Sequence, residues 1–299
     1  MHIPVLIDEI IKFIQPKQTK VYLDATLGCG GYTEKILTIC PACIVIGIDW
    51  DQQAIDFSKE RLKKYIESGN LIVIKDNYQN VKHILKSLRI YTVDGAMMDL
   101  GMSTLQLKSS RGFSFNDDNL DMRMDPSTLT YTAEFIVNNF SEEELVKIFC
   151  TLGEEKHSKF IAKKIVEYRK NKKIEAAKEL TQIVQSVLKP QYKRLKINNL
   201  QQSFKFNPAT RIFQALRIFV NNELNNLQQG LNNIIDVLCS KGRIAVTTYH
   251  SLEDRIVKNI FKERKDVTVL TKKPIIPSQQ EIKNNLSARS AKLRVGEKL

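Results

Sequence analysis

The chain has 299 residues, 42% of them hydrophobic and 26% charged, which is enough to bury a sizeable core and excludes a disordered protein. No apolar run approaches the ~20 residues needed to span a bilayer, and Met1 to Phe13 does not read as a signal peptide, so a cytoplasmic protein is expected. The net charge of +13 is concentrated, with 14 Lys and Arg against 3 Glu between Lys156 and Lys205, a one-sided excess that points to a polyanionic partner.

In chain order, Val21–Ala25, Ile44–Asp49, Leu71–Ile74 and Val93–Asp99 read as buried parallel strands, rich in Val and Ile and bounded by turn residues. Tyr32–Thr38, Gln52–Ser68 and Val81–Leu88 between them read as helices. This alternation predicts an α/β fold, a doubly wound sheet with right-handed crossovers. The rhythm then breaks. Ser109–Pro126 is a polar loop, and Ala133–Leu188 reads as wholly helical, with Ser141 and Glu144 forming a capping box and Pro190 closing the stretch. A helix over Asn207–Leu227 follows, and strand character returns at Arg243–Thr248, Val267–Thr271 and Ala291–Val295. The simplest organisation is a core of residues 1–107 and 206–299, interrupted by an inserted helical domain, 108–205, that carries the basic excess.

Five scattered cysteines argue against a disulfide framework. Cys40 and Cys43 have CxxC spacing, but no second ligand pair accompanies them, so no metal site is expected.

The first strand leads into Asp24-Ala25-Thr26-Leu27-Gly28-Cys29-Gly30-Gly31. Glycines there let the backbone turn sharply and approach a ligand closely. The third glycine of a dinucleotide fingerprint would fall on Thr33, and a pyrophosphate would be repelled by Asp24. An acid at that place suits the charged methionine part of S-adenosylmethionine. Asp49 ends the second strand, where a carboxylate can accept both ribose hydroxyls. Asp76-Asn77-Tyr78 follows the third strand and could hold an adenine. Asp99 closes the fourth strand beside Gly101, at the mouth where ligands of open α/β sheets bind. Together these favour S-adenosylmethionine over NAD.

Eight blocks in order now carry a resemblance: His2 to Leu6, Asp24 to Gly31, Asp94 to Gln106, Arg111 to Phe115, Leu120 to Asp125, Arg211 to Ile218, His250 to Arg255, and Ser290 to Arg294. Over nearly its full length the chain resembles the ribosomal small-subunit RNA cytosine N4-methyltransferases, the RsmH or MraW family. The resemblance implies a class I, Rossmann-like S-adenosylmethionine-dependent methyltransferase sheet with an inserted helical domain. It implies cofactor contacts by Gly30, Gly31, Tyr32, Asp49, Tyr78, Asp99 and Gln106, and as substrate a cytidine in the P site of 16S ribosomal RNA within the small subunit. Tyr32 stands where the family usually has His, Leu105 where Pro is common, and Leu286-Ser287 where Pro-Arg is expected.

The N4 amine of cytosine is a poor nucleophile, because its lone pair is delocalised into the ring. An enzyme must hold it in line with the sulfonium methyl and accept its hydrogens as nitrogen becomes tetrahedral. Asp99 is the candidate acceptor, a cofactor ligand, or both. Arg111, Phe113 and Phe115 combine a cation and two aromatics suited to gripping phosphate and stacking a splayed base, or equally to pinning a loop. Asp121, Arg123 and Asp125 read as a salt-bridged clasp, which the resemblance moves toward the target base. Ser251 is expected to cap the following helix with Asp254, leaving His250 to face the substrate cleft. Arg211 and Arg217 are candidates for RNA or carboxylate contacts, and Phe213, Leu216 and Val220 are the buried stripe of their helix. The competing readings are an amine methyltransferase acting on DNA or protein, and an assembly factor that binds cofactor without catalysis. Oligomeric state is not legible.

Overall fold

The computed structural model describes residues 4–195 and 207–299, with side chains described for 4–188 and 207–299. His2 and Ile3 of the first block, and Lys196 and Lys205 of the basic stretch, lie outside the described residues. The chain divides into two compact units, one of residues 1–103 and 224–299, the other of residues 104–223.

In the first unit come α1 (Ile7–Ile14), β1 (Val21–Asp24), α2 (Gly31–Ile39), β2 (Ile44–Asp49), α3 (Gln52–Arg61), α4 (Lys63–Glu67), β3 (Leu71–Lys75), α5 (Val81–Ser87) and β4 (Val93–Asp99). The second unit holds α6 (Thr104–Lys108), α7 (Ala133–Asn139), α8 (Glu142–Gly153), α9 (Ser158–Arg169), α10 (Ala177–Leu195) and α11 (Thr210–Asn221). The chain then runs through α12 (Glu223–Val237), β5 (Leu238–Thr248), α13 (Ser251–Glu263), β6 (Val267–Val269), α14 (Gln279–Asn284) and β7 (Lys292–Lys298).

The strands form a seven-stranded sheet in the order β3-β2-β1-β4-β5-β7-β6. The first five are parallel, whereas β7 runs antiparallel to β5, and β6 antiparallel to β7. The order reverses between β1 and β4, so the ends of these neighbours make the switch point where open sheets bind ligands. Side-chain alternation gives each face its own core. Leu23, Ile46, Ala96, Met98 and Val246 pack with α5, α12 and α13. Tyr22, Val45, Met97 and Ala245 pack on the opposite face with α1 and α2.

Several boundaries differ from expectation for identifiable reasons. Gln52–Ser68 is two helices, broken at the fully buried Leu62, whose side chain lies where a Cβ on Gly30 would meet it at 2.5 Å. Asn207–Leu227 is likewise two, α11 and α12, parted by Asn222 at φ 50, a conformation Asn tolerates better than most residues. α10 continues through Pro190 to Leu195, because losing one backbone donor is a cost that a helix of 19 residues can carry. β5 begins five residues early, at Leu238, and reaches Arg243 through a register shift against Val93 and Gly95.

The helical unit is built on α8 and α11. Gly153 of α8 sits where a Cβ would be 2.5 Å from the Arg211 carbonyl, so the two backbones meet closely. Residues 207–221 thus fold with the helical unit and not with the sheet. The Ser141–Glu144 capping box forms, with both of its hydrogen bonds present. Phe213, Leu216 and Val220 are buried as the stripe of α11.

Within this unit, Gly112 adopts φ 85, and a Cβ there would lie 2.7 Å from Leu120 Cα and 2.8 Å from the Asn119 carbonyl oxygen. Neither backbone atom can swing aside. Gly112→Ala is expected to destabilise the helical unit by about 3 kcal/mol, from left-handed strain plus overlap. Urea unfolding monitored by proteolysis of the 110–126 loop checks this.

Candidate active site

Four strand ends and one glycine turn build the site in the sheet unit. The turn after β1 is held from three sides. Asp49, at the end of β2, accepts the Gly28 N–H through Oδ2 at 2.7 Å and the Asp51 N–H through Oδ1 at 2.9 Å. Ser58 Oγ donates to the Gly28 carbonyl at 2.5 Å, and Arg61 Nη1 donates to the Cys29 carbonyl at 2.8 Å. Beneath the turn Asp24 is fully buried and accepts from Thr33 Oγ1 at 2.7 Å. Asp24 therefore braces the turn against α2 instead of presenting a free carboxylate to a ligand.

The exposed side of the turn is bare backbone. A Cβ at Gly28 would find no atom nearer than the Thr26 carbonyl at 3.8 Å. Gly28 lines a pocket with Pro4, Thr26, Tyr32, Asp99 and Gly101. Gly30 needs its φ of 76 and its missing Cβ because Leu62 fills the space behind it.

Asp99 is the polar centre of this pocket. Its backbone N–H donates to Thr26 Oγ1 at 2.6 Å, which ties the end of β4 to the turn. Its Oδ2 lies 3.1 Å from the Tyr32 hydroxyl, whose single proton it shares with the closer Val5 carbonyl at 2.6 Å. The Tyr249 hydroxyl hydrogen-bonds the same carboxylate, and burial together with Asp99 drives the Tyr249 pKa far above its ordinary value. Gly101 makes room for this ring, since a Cβ there would be 2.6 Å from Tyr249 Cε2. Glu253 in turn fixes the Tyr249 backbone, its Oε2 accepting the Tyr249 N–H at 2.8 Å. Two phenols thus aim one carboxylate.

Asp76 accepts the Asn77 N–H at 2.6 Å and Asn80 Nδ2 at 2.8 Å, and Asn77 caps the single turn Tyr78–Asn80. The Tyr78 ring lies against Gly230 of α12, where a Cβ would meet it at 2.3 Å. His250, not Ser251, is the N-cap of α13, and its box partner is Glu253, because Asp254 is taken by Arg294 at 2.7 Å. The His250 ring is nearly buried, with Nε2 3.0 Å from Glu253 Oε1, so its visible work is holding α13.

The remaining expected residues belong to the helical unit. Gln106 is buried on α6. Arg123 grips Asp121 bidentately at 2.7 and 2.8 Å and reaches the Leu129 carbonyl at 2.9 Å, while Asp125 instead accepts from Ser127 and Thr128. Arg111 donates to the carbonyls of Arg123 and Met124 and lies over the Phe113 ring at 5.3 Å. Phe113 is 5% exposed, and Phe115 meets Phe213 edge-on at 4.8 Å. This loop is pinned from within, and Phe113 is buried away from solvent. Arg217 is held bidentately by Glu223 at 2.8 and 2.9 Å, whereas Arg211 is half exposed, 3.9 Å from Glu155. Lys159 and Lys163 on α9, and Lys156 and Lys170 just outside its two ends, are solvent-facing, and Phe160 on the same helix is 62% exposed.

Sequence reasoning missed Thr33, Ser58, Arg61 and Tyr249. Ser58 and Arg61 follow β2 at helical spacing and look like any half-exposed helix face, and Tyr249 gains meaning only when β5 is placed beside β4.

Burial, opposed by bonds from Thr33 and the Thr26 amide, pushes the Asp24 pKa up to about 7, and burial raises Asp49 to about 6. Both values exceed the ordinary carboxyl value of 3.8, so the folded chain holds more protons than the unfolded one between pH ~4 and ~7. The stability of the ligand-free protein is therefore expected to fall as pH rises through that window. Its melting temperature should be higher at pH 5 than at pH 8, and Asp24→Asn should flatten the difference.

The model of the MraW methylase family matches residues 1–299. The chain belongs to the MraW methylase family. Ribosomal RNA small subunit methyltransferase H of Sulfurihydrogenibium sp. (strain YO3AOP1) is 45% identical over 302 residues, covering 100% of this chain and 99% of that protein. The protein of the same name from Persephonella marina is also 45% identical, with the same coverage. A solved rRNA methylase from Streptococcus thermophilus is 13% identical, with a TM-score of 0.47 over 100% of this chain and 99% of that one. Among the described residues, no helix is long and apolar enough to cross a membrane.

Proposed function

We propose that this member of the MraW family is an S-adenosylmethionine-dependent methyltransferase that methylates the N4 amine of a cytidine in the P site of 16S ribosomal RNA. The observation that carries the reading is Asp99, held by two tyrosine hydroxyls at the switch point beside a bare glycine turn. Its setting is a chain 45% identical, end to end, to small-subunit ribosomal RNA methyltransferases.

The residues present fit the cofactor. Gly28 offers uncovered backbone where a Cβ would project into the pocket, and Asp49 offers spare lone pairs to a ribose diol. Gly31 and Tyr32 line the same pocket, with Gly30, Tyr78 and Gln106 as the further expected contacts. When bound, S-adenosylmethionine supplies an electrophilic methyl group. Asp99 supplies the complementary function. As the amine attacks, its nitrogen gains positive charge and its hydrogens become acidic, and a fixed carboxylate accepts one. The hydroxyls of Tyr32 and Tyr249 fix the direction of the Asp99 carboxylate, so no reorganisation is needed at the moment of transfer. In the helical unit, Arg211 and the α9 lysines provide the polyanion contact, while the Asp121–Arg123 clasp keeps the intervening loop rigid.

Small subunits from cells lacking the enzyme, incubated with the protein and methyl-labelled S-adenosylmethionine, test this. Label is expected in small-subunit RNA and not in large-subunit RNA. Label in DNA or protein instead would sink the assignment of substrate.

A further inference from the structure

The basic stretch of the helical unit leaves unexplained a second concentration of positive charge on the sheet unit. α13, β6 and the start of the segment beyond it enclose a pocket of about 230 Å³, open to solvent on one side. This is a shallow recess smaller than the ~300–1,000 Å³ of sites that enclose a whole small ligand, suited to part of a longer chain. Its walls are Lys258, Phe261 and Lys262 from α13, Val269 from β6, Lys272, and Arg294 from β7.

The charges divide into two kinds. Arg294 is 6% exposed and neutralised by Asp254, at 2.7 and 3.2 Å, so it lines the pocket without offering net charge. Lys258, Lys262 and Lys272 are exposed, and among the described residues no acid lies within ion-pair distance of any of them. Lys258 and Lys262 stand one helical turn apart on the same face, where like charges repel. Between these ammonium groups the surface is apolar. Phe261 is buried below and Val269 is 36% exposed, and lysine stems lie along such surface while their heads stay in water.

Three unpaired cations around an apolar floor match a ligand that is anionic along one edge and flat and apolar beside it. A nucleotide within an RNA chain has this form. We propose that this pocket is an RNA-binding site on the sheet unit, in which a nucleotide of the substrate chain lies along Val269 and its flanking phosphates meet Lys258, Lys262 and Lys272. The inference rests on the proposed ribosomal RNA substrate and adds to it a contact outside the basic stretch of the helical unit.

The test compares the wild-type protein with the triple variant K258A/K262A/K272A for binding of a fluorescently labelled single-stranded RNA across a potassium chloride series. Three lost phosphate contacts, at ~0.7 each in the salt slope, predict a slope shallower by about 2 and an affinity about 100-fold weaker at 0.1 M salt. S-adenosylmethionine binding by the variant should be unchanged, which shows that the sheet unit is folded. Unchanged RNA affinity and slope would overturn the proposal. So would protection of the three lysines from acetylation by millimolar AMP or inorganic phosphate but not by RNA, which would make the pocket a free-nucleotide site. A wild-type protein that transfers no methyl group to small subunits, with RNA affinity still lost in the variant, would remove the proposed substrate reaction and leave the pocket standing.

Discussion

Asp49→Ala is expected to weaken S-adenosylmethionine binding by at least ~100-fold, as read by isothermal titration. A carboxylate hydrogen bond is worth about 1.5–3 kcal/mol, and the substitution removes the acceptor for a ribose diol. It also frees the Gly28 N–H, which Asp49 now holds at 2.7 Å, so the glycine turn loses its anchor to β2. Asp49→Asn keeps one acceptor oxygen and should fall between the two. Because burial lifts the Asp49 pKa to about 6, cofactor affinity should decline as pH drops below that value, when the carboxylate gains a proton. RNA affinity should stay within a few-fold of wild type. Cofactor binding by Asp49→Ala within threefold of wild type would remove Asp49 from the site.

Asp99→Asn is expected to lower kcat about 10²–10³-fold, the scale of losing one preorganised electrostatic partner of the transition state. Asparagine preserves shape and can still accept from Tyr32 or Tyr249, but it carries no negative charge to oppose the charge developing on nitrogen. Its effect should therefore appear in kcat rather than in cofactor affinity. Tyr249→Phe probes the same centre more gently. Removing one hydroxyl leaves the carboxylate less well aimed, and a loss of about 10-fold in kcat is expected with cofactor affinity unchanged. A wild-type kcat for Asp99→Asn would contradict the role of Asp99.

The sheet was legible because its strands are buried on both faces. Continuous runs such as Ile44–Asp49 and Val93–Asp99 emerge with the same bounds in sequence and structure. Helix ends were less legible where tertiary packing overrides local pattern. Leu62 breaks a helix because Gly30 leaves room for it, and nothing local to residue 62 announces that. The His250 cap was displaced by one residue because Arg294, forty positions away, claims Asp254. At the site, the acids on the strand ends could be named from spacing, whereas their division of labour could not. Asp24 and Asp49 look alike in sequence, yet one is sealed beneath the turn and the other holds its edge. For Arg111 and Phe113 the sequence left RNA contact and loop pinning equally open, and for Arg217 it left RNA and carboxylate open. The structure spends them inside the protein, on carbonyls, a ring stack and a carboxylate.

The most direct test of the central claim is nucleoside mass spectrometry. Small subunits from cells lacking the enzyme are treated with the protein and S-adenosylmethionine, and their 16S RNA is digested and resolved by position. The account predicts N4-methylcytidine at one P-site position, absent when Asp99→Asn replaces the wild-type protein over the same short reaction. A methyl group on a ring carbon, on a ribose, or on a base other than cytosine would contradict it.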